Sequence, residues 1–99
     1  MAMYGISEKV YQRLMDYFQH EKEIQKVILF GSRAKNVARY NSDIDLCIDY
    51  RGKQKGKILN DIDHIVGIYS CDVLFADSLN EEIKQQILRD GKVIYSKPS

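Results

Sequence analysis

Two pairs of residues in this chain have the types and spacing to do chemistry together. Asp43 and Asp45 lie in the stretch Ser42-Asp43-Ile44-Asp45-Leu46-Cys47-Ile48-Asp49, where acidic or polar residues alternate with apolar ones. A period of two predicts a strand with one buried face, so both carboxylates project from the same face, roughly 6–7 Å apart along the backbone. At that separation they can converge on one divalent cation or flank two of them; a solvated acidic strand face is the plainer alternative. They cannot both sit unpaired against a protein core. Upstream, Gly31-Ser32 breaks the apolar run Val27-Ile28-Leu29-Phe30, and ten residues separate Ser32 from Asp43. A strand that ends in Gly-Ser before a short helix places backbone N–H groups and a hydroxyl at a positive helix N-terminus, which suits a phosphate. Gly allows the backbone to come close, and Ser can donate a hydrogen bond to a phosphate oxygen. An anion cradle beside a cation-binding carboxylate pair suits a metal-bound nucleotide.

The elements that must position these residues follow from periodicity and end signals. Ser7-Glu8 opens a helix expected to run to about Glu23, with Val10, Leu14, Tyr17 and Phe18 on one stripe. Tyr4 and Tyr11 read as packing residues rather than a base-stacking surface. Lys26 to Phe30 is the first strand. A short helix from Ser32 to about Val37 carries Arg33 and Lys35; Arg39 lies beyond it, and Asn41-Ser42 makes a turn. The second strand is Asp43 to Tyr50. Arg51 to Lys57 is basic and glycine-bearing, hence an exposed, mobile connection. A helix follows, with Ile58, Leu59, Ile62, Ile65 and Val66 at helical spacing. It contains a second Asp-x-Asp, Asp61-Ile62-Asp63, but helical positions two apart diverge by about 200°, so this pair cannot share a cation. Asp61→Asn is therefore expected to leave cation binding unchanged. His64 reads as a surface histidine rather than a general base.

Ser70 to Ala76 is a third strand. Asp72 interrupts its apolar run, and a charge there costs stability unless a salt bridge or a metal satisfies it. Asp77 has the opposite parity and reads as a solvent-exposed or capping residue. Ser78-Leu79-Asn80-Glu81 has the form of a capping box for a last helix with Ile83, Ile87 and Leu88 inward; Asp90-Gly91 ends it, and Lys92 to Tyr95 is a final strand. One mixed sheet backed by helices, an α/β (α+β) fold in a single domain over residues 1–99, is the expected architecture.

Composition narrows the class. Apolar residues make up 44% and charged residues 29% of the 99-residue chain, and the net charge is +1. That balance supports neither direct nucleic-acid binding nor membrane attraction. No apolar run approaches the ~20 residues that cross a bilayer, and a signal-peptide core is missing, so a cytoplasmic location is expected. Cys47 and Cys71 form no zinc-type cluster and read as reduced, packed thiols; Cys47 shares the parity of the carboxylates and is expected to line the site without being a ligand.

Gly31-Ser32, ten residues, then Asp43-x-Asp45, all after an apolar strand, resembles the signature of the polymerase-β-type nucleotidyltransferase superfamily. The short length resembles its minimal nucleotidyltransferase branch, often found with a helical HEPN-domain partner. The signature spans 15 positions, and the order of elements matches over nearly the whole chain. The resemblance implies a polymerase-β-like fold with the first two strands antiparallel. It implies that Asp43, Asp45 and Asp72 are catalytic and hold two Mg²⁺ or Mn²⁺ ions, and that Asp72 completes the site on the attacking side. It implies that Gly31 and Ser32, with Arg33 or Lys35 as added charge, bind the phosphates of ATP. Gly31→Val is then expected to remove nucleotide binding and leave the domain folded. It further implies transfer of AMP to a tyrosine of a HEPN toxin, in the manner of an antitoxin. A non-catalytic subunit that neutralises the toxin sterically, and a transferase acting on a small molecule such as an aminoglycoside, are the other readings.

Overall fold

The structure, a computed structural model, describes residues 3–37 and 42–98. The expectations for Arg39 and Asn41 lie outside these residues. Helix α1 (Glu8–His20) starts where the Ser7 hydroxyl accepts the Val10 N–H at 3.3 Å, and it buries Leu14 and Phe18. Full burial of such side chains contributes about 1.5–3 kcal/mol each. It stops short of Glu23 because Glu21 is extended and strand β1 (Ile24–Phe30) begins two residues earlier than expected, with Ile24 entering the core. A one-turn helix, α2 (Gly31–Ala34), follows directly, and Asn36 in the left-handed region (φ 60°) ends that stretch.

Strand β2 (Ile44–Tyr50), helix α3 (Lys55–Val66) and strand β3 (Cys71–Phe75) come next. A 3₁₀ turn (Ala76–Ser78), helix α4 (Glu81–Asp90) and strand β4 (Lys92–Ser96) complete the order. The strands form one sheet in the order β3-β2-β1-β4; β2 and β4 flank β1 antiparallel, and β3 runs parallel to β2. Alternation along the strands divides the sheet. Val27, Leu29, Ile44, Leu46 and Ile48 join Leu14, Phe18, Ile58, Ile62 and Val66 in one core. Asp45, Cys47 and Asp49 alternate with β2's core residues, and so point away from α1 and α3. Among the described residues no helix is long and apolar enough to cross a membrane.

Three local expectations are corrected. Asn80, not Ser78, caps α4: its side chain accepts the Ile83 N–H at 2.8 Å, while the Ser78 hydroxyl donates to Asp77. Leu88 is 80% exposed, because α4, which packs mainly on β1 and α2, turns Ile83 and Ile87 inward and Leu88 outward; Leu59 is likewise exposed. The basic connection is not a free loop, since α3 already begins at Lys55. Arg51 pairs with Asp49, Lys55 with Asp77, and Lys57 with Glu21 and Asp61, so most of its charge is neutralised locally.

The helical Asp-x-Asp diverges as expected: Asp61 turns to α1, and Asp63 faces a cleft beside Cys71. Asp61 nevertheless has a task. It accepts the Tyr17 hydroxyl at 2.7 Å and Lys57 at 3.1 Å, which hold its carboxyl below the usual range. Burial first, and then this hydrogen bond, raises the Tyr17 phenol, which therefore stays a donor. Tyr17→Phe should cost about 1 kcal/mol, the net worth of one hydrogen bond. In a domain of this size that lowers the melting temperature by roughly 4–8 °C in a thermal scan. Asp61→Asn should also be less stable, although it leaves the sheet face untouched.

Candidate functional site

The sheet face turned away from α1 and α3 carries the carboxylates at one end. Asp45 is the register partner of Asp72 on parallel β3 and of Phe30 on antiparallel β1, so β1's last residue, and Gly31 after it, lie beside the Asp45 carboxylate. Asp43 is exposed, one residue before β2 begins. Its neighbours are pinned: the Ile44 N–H donates to the Ser70 carbonyl at 2.8 Å, and the Ser42 carbonyl accepts Arg33. Asp72 is exposed, so it avoids the penalty of a buried charge, and none of the ion pairs among the described residues engages it.

Asp45 is half-buried. Burial, and then the charges of Asp72 and Asp43, push its carboxyl up to about 6, while the Arg33 charge opposes them. The site is thus short of positive charge. A cation among these oxygens would relieve the repulsion, and carboxylate donors suit a hard ion such as Mg²⁺ or Mn²⁺. As the side chains stand, no three acidic, histidine or cysteine side chains among the described residues are drawn together closely enough to enclose a metal. Asp45 and Asp72 are adjacent, and Asp43 faces water.

The shift of Asp45 has a stability consequence of definite sign. A folded-state value near 6, above the ordinary 3.8, means that the folded protein holds a proton that the unfolded chain has released between those pH values. Stability of the metal-free protein should therefore fall as pH rises from about 4 to about 6. Asp61 and Asp77, both lowered, act below that window and with the opposite sign. Urea titrations across this range should show the slope in the wild type and lose it in Asp45→Asn.

Gly31 is required for a reason other than phosphate approach. It adopts φ +74°, and a Cβ there would overlap the Asp45 carboxylate oxygen and lie 3.1 Å from its carbon. The first half of the Gly-Ser/Asp-x-Asp pattern thus packs directly on the second. Ser32 is half-buried on α2. Because α2 is a single turn, few peptide dipoles add, and a cradle here relies on individual N–H groups and the Ser32 hydroxyl.

Arg33, expected to bind phosphate, is turned into the fold. It is 1% exposed, donates to the carbonyls of Tyr4 (3.2 Å) and Ser42 (2.6 Å), and sits over the Tyr69 ring. Lys35 is exposed instead and lines a cleft of about 790 Å³ with Tyr4, Asn36, Arg89 and Lys92. Tyr69, which no sequence pattern singles out, belongs to the site's support; its hydroxyl accepts the Ser7 N–H at 3.0 Å. Gly5, at φ +75° in the Met3–Ile6 turn, was the one local signal for that support. Tyr4 and Tyr11 pack against each other and the core. Cys47 and Cys71 are both free. Burial, then neighbouring carboxylates, push Cys47 up and Cys71 up to about 12, so neither is a thiolate. His64 is exposed and bonded only to the Asn60 carbonyl among the described residues.

Comparison with known proteins adds three findings. The profile of the polymerase beta nucleotidyltransferase family matches residues 12–99. No curated protein matches the chain in sequence. Among solved structures, the fold is similar to a chain of a toxin–antitoxin crystallised with AMP-PNP, at TM-score 0.72 and 17% identity over 88% of this chain and 73% of that one. It is also similar to a chain of the tri-AMPylated Shewanella oneidensis HEPN toxin in complex with MNT antitoxin (TM-score 0.65, 15% identity, 89% and 71% covered). A chain of the toxin–antitoxin MntA–HepT gives TM-score 0.64 at 16% identity, with 92% and 74% covered.

Proposed function

Because the chain belongs to the polymerase beta nucleotidyltransferase family, we propose that it is a single-domain, cytoplasmic antitoxin of the minimal nucleotidyltransferase type, which transfers AMP from ATP to a tyrosine hydroxyl of a HEPN toxin. The observation that carries this reading is the register of Asp45 with Asp72, with Gly31 packed on the Asp45 carboxylate. It supports a reading in which phosphate-side and cation-side residues share one end of the sheet, where Asp43 and Asp72 are exposed to a protein-borne acceptor. The similar fold of complexes containing AMP-PNP and an AMPylated HEPN toxin supports the choice of nucleotide and acceptor.

In this reading Asp43, Asp45 and Asp72 hold two Mg²⁺ or Mn²⁺ ions. When bound, such ions would offset the triphosphate charge and make the attacking hydroxyl more acidic. Ser32 and the adjacent N–H groups bind the terminal phosphates. Lys35, exposed where Arg33 is not, supplies the supplementary charge. Asp72, exposed beside Asp45, receives the tyrosine proton. The phenolic oxygen then forms the bond to the α-phosphorus as the bond to the leaving pyrophosphate breaks.

The alternative is a subunit that neutralises the toxin by binding alone, with no group transferred. Intact-mass spectrometry of the HEPN partner, after incubation with this chain, ATP and Mg²⁺, separates the two. Transfer raises the partner's mass by whole AMP units, with the adduct on a tyrosine. An unchanged mass together with full neutralisation of the toxin would overturn the transferase reading.

A further inference from the structure

Arg33 is a buried cation without a carboxylate partner among the described residues. Its guanidinium spans three parts of the chain that are distant in sequence. Nη2 donates to the carbonyl of Ser42, the residue immediately before Asp43, at 2.6 Å. Nη1 donates to the carbonyl of Tyr4, in the turn that precedes α1, at 3.2 Å. The Tyr69 ring, in the turn after α3, lies 5.4 Å from the guanidinium carbon. Room for Nη1 depends on Gly5, where a Cβ would come within 2.8 Å of it. Nε has no partner among the described residues, so the two terminal nitrogens make all the clasp's hydrogen bonds.

We propose that Arg33 is a positioning residue that fixes the Gly31-Ser32 turn to Asp43 and Asp45 through the Ser42 carbonyl, and is not a phosphate ligand. Arg33 belongs to the same one-turn helix as Gly31 and Ser32. Asp43 lies outside β2, yet it is flanked by two backbone anchors, the Ser42 carbonyl on Arg33 and the Ile44 N–H on Ser70. Only the first of these anchors comes from the phosphate-side element. To reach a phosphate, the guanidinium would have to release both carbonyls. Retention of a charge at 1% exposure is explained by geometry: two carbonyls and an aromatic face are met by one planar fork, which a single ammonium cannot reproduce.

The kinetic consequence rests on the transferase reading; the structural consequence does not. Arg33→Lys keeps the charge and breaks the fork. Amide hydrogen exchange by NMR, on the protein without nucleotide or metal, should show the Ile44 amide exchanging at least ~10-fold faster, with the amides of β1 unchanged. In the transfer assay kcat should fall about 10–100-fold, while the KM for ATP stays within about 2-fold. Gly5→Ala, which crowds Nη1 and leaves Arg33 in place, should show the same pattern more weakly, and decides the matter if Arg33→Lys does not fold. Unchanged exchange at Ile44 in the folded variant would overturn the proposal, as would a tenfold rise in KM with kcat intact, the mark of a phosphate ligand. If the wild type transfers nothing, it is the transferase reading that fails, and the exchange result alone judges the clasp.

Discussion

Asp45→Asn is expected to give a protein that binds its partner normally, transfers no AMP and is more stable than the wild type at neutral pH. The three effects have one cause. Asp45 is the half-buried member of the carboxylate group, and burial together with Asp72 and Asp43 disfavours its charge. An amide of the same shape removes that repulsion, so the folded state gains. The same change removes a donor oxygen where charge must be neutralised in the transition state, and losses of such groups cost roughly 10³-fold or more in rate. A functional residue that is a stability liability is a common trade. Partner affinity should stay within about 2-fold, since an amide of the same shape leaves the rest of the surface unchanged. Asp72→Asn, at an exposed position, should lose transfer with little change in melting temperature. Melting curves and a transfer assay on the two variants suffice; a destabilised Asp45→Asn would contradict the electrostatic account of the site.

Gly31→Ala should damage both stability and nucleotide binding. The backbone at Gly31 is left-handed (φ +74°), where a Cβ costs about 1–2 kcal/mol. That Cβ would also meet the Asp45 carboxylate, which must turn away or push β1 from β2. The melting temperature should fall by roughly 4–8 °C per kcal/mol lost, and Mg²⁺-dependent ATP binding by calorimetry should weaken at least ~10-fold. Gly31→Val adds a branched side chain to the same clash and should unfold more of the population. This differs from the sequence expectation of a folded, binding-deficient variant. Phosphate approach was the reason offered for the glycine, whereas the structure adds a dihedral and a contact with Asp45. If Gly31→Ala binds ATP as the wild type does, the contact with Asp45 has no functional weight.

Much of the fold was legible because its signals are local. The alternation through Asp43 to Asp49 marks β2 and its two faces, and the stripes through Leu14 and Phe18 and through Ile58 and Ile62 mark the helices that cover one of them. The spacing from Gly31-Ser32 to Asp43-x-Asp45 could be read as one site, but its antiparallel pairing came from a family resemblance, because no periodicity states which strands are neighbours. What escaped depends on tertiary direction. A helix of one turn gives no phase from which to tell that Arg33 points inward and Lys35 outward. Leu88 looks like a core residue on periodicity, yet it lies on the outer side of α4, 80% exposed. Arg51 to Lys57 looks like free positive charge because its partners Glu21, Asp49, Asp61 and Asp77 are spread along the chain. Asn80 and Ser78 are both good caps, and the 3₁₀ turn after β3 decides between them.

The central proposal is that Asp43, just before β2, with Asp45 and Asp72 on the parallel strands β2 and β3, acts as one cation site beside Gly31 and Ser32. Titration of the protein with Mn²⁺ in the presence of a non-hydrolysable ATP analogue, followed by electron paramagnetic resonance of the free ion, measures it directly. The account predicts about two bound ions per chain in the wild type, with binding lost in Asp45→Asn, lost or halved in Asp72→Asn, and kept in Asp61→Asn. Mn²⁺ binding that is absent from the wild type, or equal in the wild type and Asp45→Asn, would contradict it.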